Sequence, residues 1–174
     1  MVGCSSPDRA EETNDISTAA YSARLSKVWN VVLDNDLSDW ERSETNRALD
    51  AWQKAAPCDV SFVVSTGAVD DKLPPVGVIT VKIGVPPVKD AVGWTGWDDG
   101  GHDYPAQKLT GARIVMVPGS DDLRDFQRVV RHELGHAMGL AHTHGVPSIM
   151  ADPPVPDNNI YLVDSDNYGA MWCD

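Results

Sequence analysis

Residues 132–142 read His-Glu-Leu-Gly-His-Ala-Met-Gly-Leu-Ala-His. His132 and His136 stand four apart, so on a helix both imidazoles share one face, one turn from each other. Two such rings can bind one metal ion, and Glu133 between them can reach a water on that metal. Gly139 can adopt φ > 0, end the helix and turn the chain back. His142 then becomes a third nitrogen ligand, which leaves the fourth position of a tetrahedral zinc to water. With 5 His and 14 Gly in 174 residues, the five fixed positions would coincide by chance in roughly one such chain in a hundred thousand. Coincidence is therefore a poor account of the pattern.

The stretch resembles the zinc signature of the metzincin metallopeptidases, His-Glu-x-x-His-x-x-Gly-x-x-His. It is most similar to that of the matrixins, whose motif also carries Gly135 and the Gly139-Leu140 pair. Ser148-Ile149-Met150 follows at a distance that suits the methionine turn of that clan, with Met150 eight residues after His142. The resemblance spans about residues 25–174, and its specific part is 132–150. It implies one catalytic zinc on His132, His136 and His142, and Glu133 as general base. Protein or peptide substrate would lie extended along an edge strand, lined by Trp94 and Trp97, with Pro153 walling the pocket beyond the scissile bond. His144 is assigned to the surface or to a supporting position. Asp152 stands where some metzincins carry a zinc-binding tyrosine. Only His102 and Asp103 are present where matrixins hold a structural zinc, which argues against a second zinc. The acidic, glycine-rich loop Asp98–Asp103 is a calcium candidate.

The elements that must position these residues can be read from periodicity. Lys27–Leu33 is β-branched and aromatic and predicts a first strand. Ser38 and Glu41 have capping-box spacing and start a helix, whose face of Trp40, Ala48, Leu49, Trp52 and Ala56 ends at Pro57. Strands are predicted at 60–64, 76–83 and 112–117, with 91–97 as an edge strand. Asp122 and Asp125 suit the N-terminus of the motif helix, which has a buried stripe of Leu123, Phe126, Val130, Leu134, Ala137 and Met138. Asp164-Ser165-Asp166 caps a short last helix. The fold class expected is α+β: a metzincin-like catalytic domain with a mostly parallel twisted sheet, an edge strand above the cleft, the active-site helix and a short C-terminal helix.

Composition narrows the function further. One domain of ordinary hydrophobicity is expected at 23–174, preceded by a polar leader at 1–22 that reads as a tether or an inhibitory segment. The formal charge of −12 disfavours nucleic acid and anionic membranes as partners. No apolar run reaches 18 residues, so no membrane span is expected. Val2-Gly3-Cys4-Ser5-Ser6 resembles the lipidation site of a bacterial lipoprotein, with Met1 replacing a removed signal. Lipidation of Cys4 would leave Cys58 and Cys173 either as a disulfide or as two buried thiols. These features suggest a monomeric enzyme that is extracellular or anchored at the bacterial cell envelope. The rival reading is a non-catalytic zinc-containing binding module, and Glu133 weighs against it because a structural site needs no base.

Overall fold

A computed structural model describes residues 28–56, 58–72, 74–75, 77–89, 91–97, 111–117, 123–151 and 164. The elements run β1 (Val28–Asp34), α1 (Asp39–Ala55), β2 (Ser61–Gly67), β3 (Val78–Ile83), β4 (Gly93–Trp97), β5 (Ala112–Met116) and α2 (Leu123–Ala137). Every predicted strand and both predicted helices within the described residues are present, with ends shifted by a few residues. The caps at Asp122 and Asp125, the leader, the Asp98–Asp103 loop, Pro153 and the last helix beyond Asp164 lie outside what is described.

The five strands form one sheet in the order β2-β1-β3-β5-β4. Pairs β1–β2, β1–β3 and β3–β5 are parallel, and β4 closes one edge antiparallel to β5. Alternation along each strand divides the side chains between two faces. Leu33, Val81 and Ile114 lie in register across three strands, each 1% exposed or less, and Thr95 of β4 continues that row. This face carries α1 and α2, and Trp29, Trp52, Phe126 and Leu134 fill the space between. Burial of so many large apolar groups is the main force holding the layers together, at roughly 25 cal/mol per Å² of apolar surface.

Helix α1 starts as its sequence predicts. Ser38 Oγ accepts from the Glu41 amide, and the Glu41 carboxylate accepts from the Ser38 amide, a complete capping box. Trp52 is fully buried, whereas Trp40 is half-buried, with its ring 4.9 Å from that of Phe126. On the opposite face of the sheet, Lys82 Nζ donates to Asp71 at 2.6 Å. That ion pair, with Arg113 nearby, holds the Asp71 carboxyl below its ordinary value. Among the described residues nothing pairs with the outer edge of β2, where Val63 and Val64 are exposed. Cys58 is disulfide-bonded, and both other cysteines lie outside the described residues.

Candidate metal centre

Helix α2 presents His132 and His136 on one face, as their spacing requires. The helix then ends in a Schellman turn. Gly139 has φ +94°, its amide donates to the His136 carbonyl at 2.7 Å, and the Leu140 amide donates to the Gly135 carbonyl at 2.9 Å. That left-handed step is open to glycine at little cost and strained for a side chain. It sends the chain back so that His142 faces the helix. The three Nε2 atoms converge at 2.9 Å (His132–His136), 3.0 Å (His132–His142) and 3.1 Å (His136–His142).

In two of the rings the other nitrogen explains why Nε2 presents a lone pair. His132 Nδ1 bonds to the Ile149 carbonyl at 2.8 Å, and His136 Nδ1 to the Leu140 carbonyl at 2.8 Å. A carbonyl only accepts, so in both rings the proton sits on Nδ1 and Nε2 is left basic. Burial first, then the His132 and His142 rings, push the His136 imidazole well below its ordinary pKa. The bond to Leu140 opposes them without reversing the direction. Three ring nitrogens this close to one another are accommodated by a cation between them. Nitrogens at about 2.0–2.1 Å from one tetrahedral zinc stand about 3.3 Å apart, close to the spacing seen, so the donor set fits zinc.

Two further groups brace the centre. The turn Ser148–Ala151 places Met150, 1% exposed, against Gly135, where a Cβ would overlap the Met150 sulfur. Asp164, fully buried, accepts from Ser148 Oγ and from the Ile149 amide at 2.9 Å. It thereby fixes the residue whose carbonyl orients His132. Sequence spacing suggested only a helix cap for Asp164, because its partners lie 15 and 16 residues away.

Glu133 is 0% exposed, and Thr95 Oγ1 lies 2.6 Å from its Oε2 and 3.0 Å from its backbone carbonyl. Thr95 was not singled out in the sequence, where it reads as one β-branched residue in a strand. Trp94 is half-buried and faces the other way, its ring over Gly96 and 5.3 Å from the Arg113 guanidinium. Its side chain is therefore on the opposite face of β4 from Glu133. The Trp97 backbone closes β4; its side chain and Pro153 are outside the description. His144 is exposed. Among the described residues no helix is long and apolar enough to cross a membrane.

A matrixin family model matches residues 117–172. No curated protein matches the chain in sequence. Among solved structures, myroilysin superposes with a TM-score of 0.50 at 12% identity, over 86% of this chain and 85% of its own. High choriolytic enzyme 1, a hatching enzyme zinc-protease from Oryzias latipes, gives 0.52 at 14%, over 84% and 89%. Archaemetzincin from Methanopyrus kandleri gives 0.54 at 12%, over 86% and 98%. At such identities these likenesses establish the fold, which is metzincin-like. The matrixin match covers the whole stretch from His132 to Met150.

Proposed function

From a metzincin-like fold with a matrixin-type motif, we propose that this chain is a zinc-dependent endopeptidase with Glu133 as its general base. The observation that carries this reading is the convergence of three Nε2 atoms, two of them on a helix that also buries the Glu133 carboxylate. His132, His136 and His142 would hold zinc, which would supply a Lewis acid for the scissile carbonyl and a water of lowered pKa. Glu133 takes the proton of the attacking water and later delivers it to the leaving amine. Strand β4, at the sheet edge beside α2, offers its outer backbone groups to an extended peptide by β-augmentation. The disulfide at Cys58 supports a place outside the reducing cytoplasm, and the Cys4 context supports a lipid anchor at the cell envelope.

Hydrolysis of an unfolded protein by wild type and Glu133→Ala, with zinc measured in both, tests the proposal. Cleavage by wild type alone, with about one zinc in each protein, is the expected result. Silence of wild type with zinc bound, persisting after removal of residues 1–22, would sink it in favour of a zinc-containing binding module.

A further inference from the structure

We infer that Thr95 is a positioning residue that holds the Glu133 carboxylate in its working orientation, an inference that rests on reading Glu133 as the general base. Thr95 ends the row Leu33, Val81, Ile114, in which the other three members are apolar and buried. Packing alone would be met there by valine, which has nearly the same shape. The hydroxyl is instead 0% exposed with its oxygen 2.6 Å from Glu133 Oε2. A buried hydroxyl facing an ionised oxygen makes a short, charge-assisted bond, stronger than a neutral one.

The geometry around this pair is tight. A Cβ on Gly93 would come 2.5 Å from Val129 Cγ1 and 2.9 Å from Glu133 Oε1. Glycine at 93 thus lets β4 approach α2 closely enough for Thr95, two residues on along the same face, to reach the carboxylate. The Glu133 backbone carbonyl lies 3.0 Å from the same Thr95 oxygen, and the single hydroxyl proton goes to the nearer acceptor, the carboxylate at 2.6 Å. One side chain of the edge strand is therefore bonded to the carboxylate of the base and packed against the backbone of the same residue. Rotation of that carboxylate about its side-chain torsions would break the 2.6 Å bond. Through Thr95, the strand offered to the substrate and the group that takes the proton keep one register.

The test compares wild type, Thr95→Val, Thr95→Ser and Glu133→Ala as zinc-loaded full chains. Loss of the hydroxyl in Thr95→Val is expected to lower kcat on the order of 10- to 100-fold, the usual cost of a lost supporting bond. KM should stay within about 2-fold, because a bond to the base is not substrate binding. Thr95→Ser, which keeps the hydroxyl, should restore kcat to within about 3-fold. A second readout needs no turnover. A peptide hydroxamate gives its hydroxyl proton to the carboxylate beside the metal, whereas azide, already an anion, takes the metal with no proton to give. Thr95→Val should weaken the hydroxamate by about 10-fold or more and leave azide unchanged. Should Thr95→Val not fold, Thr95→Ala takes its place with the same expectations.

Full kcat in Thr95→Val, where Glu133→Ala is dead, overturns the role of Thr95 and leaves the base assignment standing. Activity in Glu133→Ala removes the base assignment itself. If wild type does not turn over, the two inhibitors decide, and equal hydroxamate affinity in wild type and Thr95→Val overturns the inference.

Discussion

Helices α1 and α2 lie against the same face of the sheet and share one core, yet they bury different chemistry. α1 turns Ala48, Leu49 and Trp52 inward, and its one buried acid, Glu44, is paired with Arg47 and with Gln127 of α2. α2 buries Phe126, Val129, Val130 and Leu134, but also His132, Glu133 and His136, at 3% exposure or less. Burying ionisable groups is costly unless they are bonded or coordinate a metal. α1 meets that cost once, at Glu44, with Arg47 and Gln127, whereas α2 offsets it at three positions with carbonyls from Leu140 and Ile149, the Thr95 hydroxyl and a place for a cation. One helix buries mainly apolar surface and the other the candidate metal ligands, and the two meet where Trp52 Nε1 donates to the Arg131 carbonyl at 2.9 Å.

That division can be broken or sharpened by substitution. The largest effect belongs to His136→Ala, which should lose stoichiometric zinc, with affinity falling by more than the roughly 10- to 100-fold cost of a supporting residue. Isothermal titration would show it, and unchanged affinity would dissolve the contrast. Next comes Leu49→Ala in α1, expected to cost about 2–5 kcal/mol by denaturant melting while the folded protein still binds zinc as wild type does. Gly135→Ala should cost about 1–3 kcal/mol by overpacking against Met150, offset by about 1 kcal/mol of helix propensity. A rise in melting temperature would show that Met150 is not held there. The smallest is Ser38→Ala, about 1 kcal/mol for the lost cap, with cleavage and zinc unaltered.

The same helix should make the metal-free protein sensitive to acid. The folded pKa of His136 lies below the ordinary imidazole value, so between the two values the unfolded chain binds more protons than the folded one. Stability should therefore be unaffected by this group above about pH 6.5 and fall as pH drops from there toward the folded pKa. Melting of the metal-free protein between pH 8 and pH 5, about neutrality on either side, checks the sign; a flat profile would contradict it.

Much of this arrangement was legible beforehand. The Ser38–Glu41 box, the apolar stripes of both helices and the strands at 28–34, 61–67, 78–83 and 112–116 follow from local rules, because each depends on neighbours within a turn or an alternation. The histidine triad was legible for a related reason: His132, Gly139 and His142 lie within eleven residues, and one helix and one turn bring them together. Trp94 shows the limit. Its place in an edge strand could be read, but the face it takes depends on register with β5, and that register sends it toward Arg113.

By itself, then, the sequence determined the elements, the set of three histidines that can hold a metal and the carboxylate between the first two. Only the tertiary structure decided what orients them: Thr95 on Glu133 across 38 residues, Asp164 on the Ile149 peptide across 15, and the Ile149 carbonyl on His132 across 17. The ligands are specified by backbone period and a glycine, which act over a few bonds. The supporting contacts exist only once β4, the methionine turn and Asp164 have packed around α2, and no local pattern in the chain encodes which distant hydroxyl or carboxylate will meet which peptide.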